Sequence, residues 1–190
     1  LVDFDLSRWS GDSTLGTITA KATIKNGKGL RAATAQADLQ AIISKFEFRG
    51  YDYANAIFNG KLNKQFLDGD LSIQDINADF DFKGKIDFTQ NIPIYDFKSN
   101  IKNIDLYKLN LSRSPLAIKG LLDFKLQGNK IDEIVGSIKV NDVTIYKDSN
   151  SVTLQNLVLQ SSEIDGVKQL NVLSNWIDGT ITGQYMLSKI

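Results

Sequence analysis

The 190-residue chain has no cysteine and no histidine. Without cysteine there are no disulfides, thiolate nucleophiles or cysteine metal sites, though compartment stays open because many periplasmic proteins lack cysteine too. Without histidine the commonest general base and the commonest zinc ligand are missing. There are only two prolines. Pro93 falls at a strand start and Pro115 in a loop, where a missing N–H is tolerated. Neither charge sign dominates, with 22 Lys+Arg against 22 Asp+Glu. That balance, without any lysine/arginine cluster, argues against a nucleic-acid partner, which needs a basic footprint. No apolar run approaches the roughly 20 residues of a membrane-spanning helix, and no signal peptide is evident. The chain starts at Leu1 and reads as a processed piece or a fragment, with targeting signals outside it.

What the chain does have is alternation. Between Ile76 and Phe88, the residues Ile76, Ala78, Phe80, Phe82, Ile86 and Phe88 occupy even positions, and Gly84 is the one even position without an apolar side chain. Asn77, Asp79, Asp81, Lys83, Lys85 and Asp87 lie between them. A period of two sends alternate side chains to opposite faces of a strand, so one face is hydrocarbon and the other mostly charge. The hydrophobic fraction of 42% and charged fraction of 23% suit a foldable segment rather than a disordered one.

The same alternation recurs along the chain as about 11 strands, antiparallel where short loops join them. Ile18, Ala20, Ala22 and Ile24 share one face of Thr17–Lys25, and Asn26-Gly27-Lys28-Gly29 predicts the hairpin after it. Ala32–Phe48 fits helix by its alanines and strand by its alternation; two flanking strands favour strand. Phe46 and Phe48 alternate out of register with Leu39 and Ala41, which requires a bulge or break near Ile42–Ser44. Further strands are expected at Tyr51–Asn63, Phe66–Ile73, Asn77–Phe88, Ile94–Ile101, Leu116–Gln127, Ile134–Tyr146, Ser151–Ser161, Gln169–Ser174 and Thr180–Leu187. Asn103–Ser114 reads as a helical turn or an irregular packed loop. No composition shift marks a domain boundary, so residues 1–190 are one continuous segment.

Catalytic chemistry finds little support. Asp79/Asp81, Asp68/Asp70 and Asp132/Glu133 are the carboxylate pairs a glycosidase could use, but Asp79 and Asp81 read as solvated strand charges. Asp68-Gly69-Asp70 looks like a hairpin or bulge and lacks the further ligands of a calcium loop. Gly27-Lys28-Gly29 has no following helix to make an anion site. Asn110-Leu111-Ser112 is a glycosylation sequon, a pattern common by chance. Aromatic residues around Gly50 and on the Phe80/Phe82/Phe88 face fit core or groove packing better than glycan or nucleobase stacking. The expectation is a protein that is not an enzyme, with no metal and no cofactor.

An apolar sheet face needs a partner. Two sheets can pack as a sandwich, one sheet can close as a barrel, or a long sheet can curl into a trough. Small residues such as Ala20, Ala22, Ala78 and Gly84 among large ones would leave a lumen incompletely filled. The pattern alone ranks sandwich or barrel slightly ahead of trough.

The order of short segments reverses that ranking. Gly50-Tyr51-Asp52-Tyr53, Phe58-Asn59-Gly60 and Phe66-Leu67-Asp68-Gly69 are followed by Asp79–Phe88, Pro93–Phe97 and Ile104–Leu111. Asp132–Ile138 and Asn171–Gly183 complete the series. In this order the segments resemble the repeating-groove region of the TamB (translocation and assembly module) family in the AsmA-like superfamily, most of all its Bacteroidota versions. The resemblance spans roughly Leu15 to Ile190. It implies an all-β fold: a long antiparallel sheet curled into a taco-like apolar groove. It also implies a periplasmic segment of an inner-membrane-anchored protein that carries phospholipid acyl chains toward the outer membrane. Support of outer-membrane protein assembly and a BamA-type barrel partner follow from the same resemblance. On that reading the groove is lined by Ile18, Ala20, Ala22 and Ile24, by Ala78, Phe80, Phe82, Ile86 and Phe88, and by Leu122, Phe124 and Leu126. Ile138, Val140, Ile181, Tyr185 and Leu187 extend the lining. The alternative is a β-sandwich module for adhesion or for binding protein or glycan.

Overall fold

The structure, a computed structural model, describes residues 1–29, 31 and 33–186, with only the backbone of Ile131. It is a single open sheet of twelve strands, each antiparallel to the next and in strict chain order. The sheet is curled but not closed. The strands are β1 (Phe4–Asp5), β2 (Leu15–Lys28), β3 (Gln36–Phe48), β4 (Tyr51–Asn63), β5 (Phe66–Gln74) and β6 (Ala78–Asp87). They continue as β7 (Ile94–Asp105), β8 (Leu116–Gln127), β9 (Val135–Lys147), β10 (Asn150–Ile164), β11 (Val167–Ser174) and β12 (Asp178–Gly183). Among the described residues there is no second sheet, so neither a sandwich nor a barrel forms.

The alternation maps directly onto the pairing. Phe82 pairs with Leu71 on one side and Ser99 on the other, and Ile86 with Leu67 and Tyr95. Apolar residues therefore meet mostly apolar residues on one face from strand to strand, Ser99 being a polar member of that face. Bulges keep that face in register where a strand's parity changes. Between Thr19/Lys45 and Ala20/Ile43 of the β2–β3 ladder, Ser44 is the extra residue, which brings Ile43 and Phe46 to the same face. This is the break that the misregistered phenylalanines require.

Several local elements differ from the sequence reading. Asn26-Gly27 is not the hairpin tip. β2 runs through it to Lys28, with a register shift between Lys25 and Lys28. Asn26 takes φ +55°, a conformation Asn tolerates, and its Nδ2 donates to Asp38 Oδ2 at 2.6 Å. The dipeptide thus makes a bulge, and the reversal falls after it. Asp68-Gly69-Asp70 is neither hairpin nor bulge: it lies inside β5, paired without interruption to β4 and β6. The N-terminal segment adds β1 and a short helix, α1 (Leu6–Ser10). Asp5 caps α1 by accepting from the Arg8 N–H at 3.0 Å, and Gly11 ends it at φ +81°. β7 extends to Asp105, and the residues up to β8 form a strap of successive turns, the packed loop that the sequence reading allows.

Candidate functional site

The register gathers the candidates that lie within described strands onto one face. Ala20, Ile43, Ala56, Ile73, Phe80 and Ile101 form one transverse row from β2 to β7. The next row joins Ala22 and Ala41 through Phe58, Leu71 and Phe82 to Ser99, Leu122 and Val140. Ile24, Phe97, Phe124 and Ile138 belong to the row beyond. Ile86 and Leu126 flank Tyr95, and Ile181 pairs with Leu170 farther along that row. Ile18 pairs with Phe46, and Ala78 with Ile104. Phe88 sits one residue past β6 with its ring edge on Tyr95, 5.9 Å between centroids. Tyr185 follows β12 and is half-buried in a small recess with Asp132, Ser161 and Lys168. Leu187 lies outside the described residues.

Burial along this face is uneven. Ala78 is fully buried, whereas Ile24 is 63% exposed and Phe88 48%. Phe82, Phe97 and Phe124 form a stack across β6, β7 and β8, each adjacent ring pair 4.8 Å apart. Offset aromatic contacts of this kind add to area burial while leaving ring faces open. Glycines line up on this face: Gly60, Gly69 and Gly84 are paired across β4, β5 and β6. A Cβ on Gly69 would sit 2.7 Å from the Gly60 Cα, and one on Gly84 2.7 Å from the Phe97 Cβ. Only residues without a side chain let the backbones approach this closely.

One end of the face is sealed. Leu109, in the strap, is 1% exposed and packs with Tyr53, Ala56, Ile73 and Ala78. The Asn110 Nδ2 donates to the Arg49 carbonyl at 3.0 Å and ties the strap to the β3–β4 turn. Beside it, the buried Asp75 accepts from the Tyr51 hydroxyl at 2.5 Å and from the N–H groups of Ala54 and Asn77 at 3.1 and 2.9 Å. Burial, then the proximity of Tyr51 and Asp75, pushes the Tyr53 hydroxyl up to about 12. Tyr51 is raised chiefly by burial and next by its bond to Asp75. Pattern reading did not single out Asp75, and it read the strap as a packed loop without its partners, because both act through distant contacts.

The opposite face is ionic. Lys25, Asp38, Lys61, Asp68, Lys85, Asp96 and Lys125 are cross-strand neighbours in succession from β2 to β8, so charge alternates at every step. Asp79 and Asp81 both reach Lys102, at 3.1 and 3.5 Å, and the Lys102 ammonium is raised mainly by its bond to Asp79. Asp70 faces Lys83 at 3.4 Å, and Glu133 faces Lys130 at 3.2 Å. The candidate carboxylate pairs are thus held by lysines or spread along the sheet, and among the described residues no three acidic side chains converge as a metal site. A shallow recess of about 360 Å³ also opens on this face around Leu121, between Asp81, Lys98, Asn100 and Asn141. No family model, no curated protein and no solved structure matches the chain.

Proposed function

We propose that the apolar face is a passive conduit for phospholipid acyl chains, in a periplasmic protein of the TamB/AsmA-like kind, and that the chain is not an enzyme. The observation that carries this reading is one apolar face, continuous over an open curled sheet with no second sheet among the described residues to cover it. At about 4.8 Å per strand, β2 to β12 span about 50 Å. An acyl chain laid along the rows would gain about 0.8 kcal/mol for each buried CH₂. Rows of similar apolar character give similar affinity at successive steps, which sliding requires. The headgroup would ride at the open rim, away from the strap. A membrane-anchored parent protein, a BamA-type barrel partner and support of outer-membrane protein assembly belong to the same proposal.

Photocrosslinking tests it. A photoreactive residue at position 82 or 124 is expected to capture phospholipid in cells, and one at 81 or 83 is not. Lipid captured only from 81 and 83 would overturn the face assignment, and detergent-free protein lacking lipid in native mass spectra would count against a conduit. A second reading, a glycan- or protein-binding module, is favoured by the recess around the 46%-exposed Leu121 on the polar face. It predicts that soluble glycans or a protein partner shift the Leu121 resonances while the Phe82–Phe97–Phe124 stack is undisturbed.

A further inference from the structure

With acyl chains on the apolar face and headgroups at the open rim, the chemistry of that rim decides which lipids fit. Strict chain order puts the β2–β3, β4–β5, β6–β7, β8–β9 and β10–β11 connections on this rim and the strap on the other. Hydrogen bonds knit neighbouring connections into one edge. The Lys64 N–H donates to the Ala35 carbonyl at 2.6 Å, the Phe88 N–H to the Gln65 carbonyl at 3.0 Å, and the Gly128 N–H to the Pro93 carbonyl at 3.1 Å. Successive connections are two strands apart, about 10 Å.

Charge is unevenly placed along this edge. Taken with the residue on either side, the β2–β3 and β4–β5 connections carry Lys28, Arg31 and Lys64 and no acid. All three side chains are exposed, and none makes an ion pair among the described residues. The β6–β7 connection carries Asp87 alone and β10–β11 Asp165 alone, while β8–β9 holds Lys130, Asp132 and Glu133, one net negative charge. Thr89 donates its N–H and its hydroxyl to Asp87, which lowers the Asp87 pKa and keeps it ionised. Behind the rim opposite signs face each other and cancel: Lys25 and Asp38, Lys61 and Asp68, Lys85 and Asp96, Glu163 and Lys168. The rim thus changes sign between β5 and β6. Screening acts over about 8 Å at physiological salt, so a headgroup feels the connection beside it rather than the far end.

We infer that the open rim sorts phospholipids by headgroup charge: Lys28, Arg31 and Lys64 hold a net-anionic headgroup at the β2–β5 end, and the acidic connections from β6 onward disfavour it. A zwitterionic headgroup offers both signs and gains little at either end. This selectivity rests on the conduit reading, because headgroups reach the rim only when acyl chains occupy the face beside it.

The test places a photoreactive residue at position 65, 129 or 82 of the full chain. Each protein meets vesicles of equimolar phosphatidylglycerol and phosphatidylcholine with identical acyl chains, and mass spectrometry gives the ratio of the two lipids captured. The glycerol-to-choline lipid ratio is expected to be about fivefold higher from position 65 than from 129. About 0.5 M salt should remove the excess. Lys28→Glu/Arg31→Glu/Lys64→Glu should abolish it while position 82 still captures both lipids, which shows that the apolar face is intact. Equal ratios at 65 and 129, with both lipids captured from 82, would overturn the sorting and leave the conduit standing. No capture from 82 would overturn the conduit and the sorting with it. An excess that survives the triple variant would overturn the assignment to these cations. Inorganic phosphate, added at constant ionic strength, should leave the ratio unchanged. Loss of the excess would reveal a site for the free anion and overturn the proposal.

Discussion

The two halves of this sheet solve the same problem with different chemistry. From β2 to β8 the polar face carries alternating lysine and aspartate, Lys25 through Lys125. The same transverse row continues across β9 to β12 as Ser137, Gln160, Asn171 and Thr180, with no charge at all. There the Thr180 hydroxyl donates to Asn171 Oδ1 at 2.9 Å. The apolar face differs as well. Backbones leave no room for a Cβ at the Gly60–Gly69–Gly84 row, while Gly179, farther along that row on β12, has open space where one would go. Leu109, Asp75 and the tyrosines also lie in the first half. The contrast separates two ways of fixing strand register. In β2–β8 each slip would break an ionic sequence and a glycine alignment together, while in β9–β12 the inward apolar residues and neutral hydrogen bonds do the work.

The glycines give the largest expected difference. Gly69→Ala places a Cβ 2.7 Å from the Gly60 Cα and 3.1 Å from the Asn59 carbonyl carbon, both backbone atoms that cannot swing aside. The variant should lose about 2–3 kcal/mol in urea unfolding, as forced overpacking does. Gly179→Ala should change stability by no more than about 0.5 kcal/mol. Equal losses at the two positions would mean that the close backbone approach across β4–β6 does not require glycine.

How much of this could be read from the chain follows from the range of each interaction. The strands were legible because a half-buried strand writes its two faces into successive residues, as Ala78 through Asp87 do. The Ser44 bulge was legible for the same reason: Leu39 and Phe46 cannot share a face without an extra residue. Asn26-Gly27 misled because Asn at positive φ serves a bulge as well as a turn, and the choice depended on Asp38 across the ladder. The glycine crease needed the register itself, since residues 60, 69 and 84 become neighbours only once β4, β5 and β6 are aligned. Asp75 was missed for a related reason, and Leu109 was legible only as part of a packed loop, without its partners. Their partners Tyr51, Ala54 and Tyr53 are remote in sequence, and neither residue breaks the local pattern. The capped helix α1 did leave a local signal, Asp5 ahead of Leu6–Ser10 and Gly11 behind it, but five residues carry too little periodicity to reveal it.

A smaller effect tests the ionic half directly. Asp68→Lys places a cation between Lys61 and Lys85. Exposed cross-strand pairs are individually weak, so turning two favourable oppositions into two unfavourable ones should cost about 1 kcal/mol at low salt. Much of that cost should vanish at about 0.5 M salt, where screening is short-ranged. Asn171→Lys, in the same row, has the neutral Gln160 and Thr180 as its cross-strand neighbours. It should cost about 0.5 kcal/mol through the lost Thr180 bond, with little salt dependence. Matching salt dependence at the two sites would erase the distinction between the halves.

The last effect appears only at high pH, at the sealed end of the first half. Tyr53 is held protonated up to about 12 by burial and by its neighbours Tyr51 and Asp75, whereas in the unfolded chain a tyrosine releases its proton near 10. Between those values the folded state keeps a proton that the unfolded state has lost. The resulting stabilisation is complete below about pH 10 and disappears as the pH rises toward 12. The total slope at high pH cannot be assigned to one group. The difference between the wild type and Tyr53→Phe can be. Tyr53→Phe should unfold with a shallower fall in Tm above about pH 10, although Tyr51, also raised, leaves part of the slope in place. Amide exchange at rising pH should then show β3 and β4 opening before β9–β12 in the wild type, with the gap narrowed in Tyr53→Phe. If Tyr53→Phe kept the full slope, the tyrosine pair would not be the alkaline weak point, and the ladder alone would set the order in which the halves open.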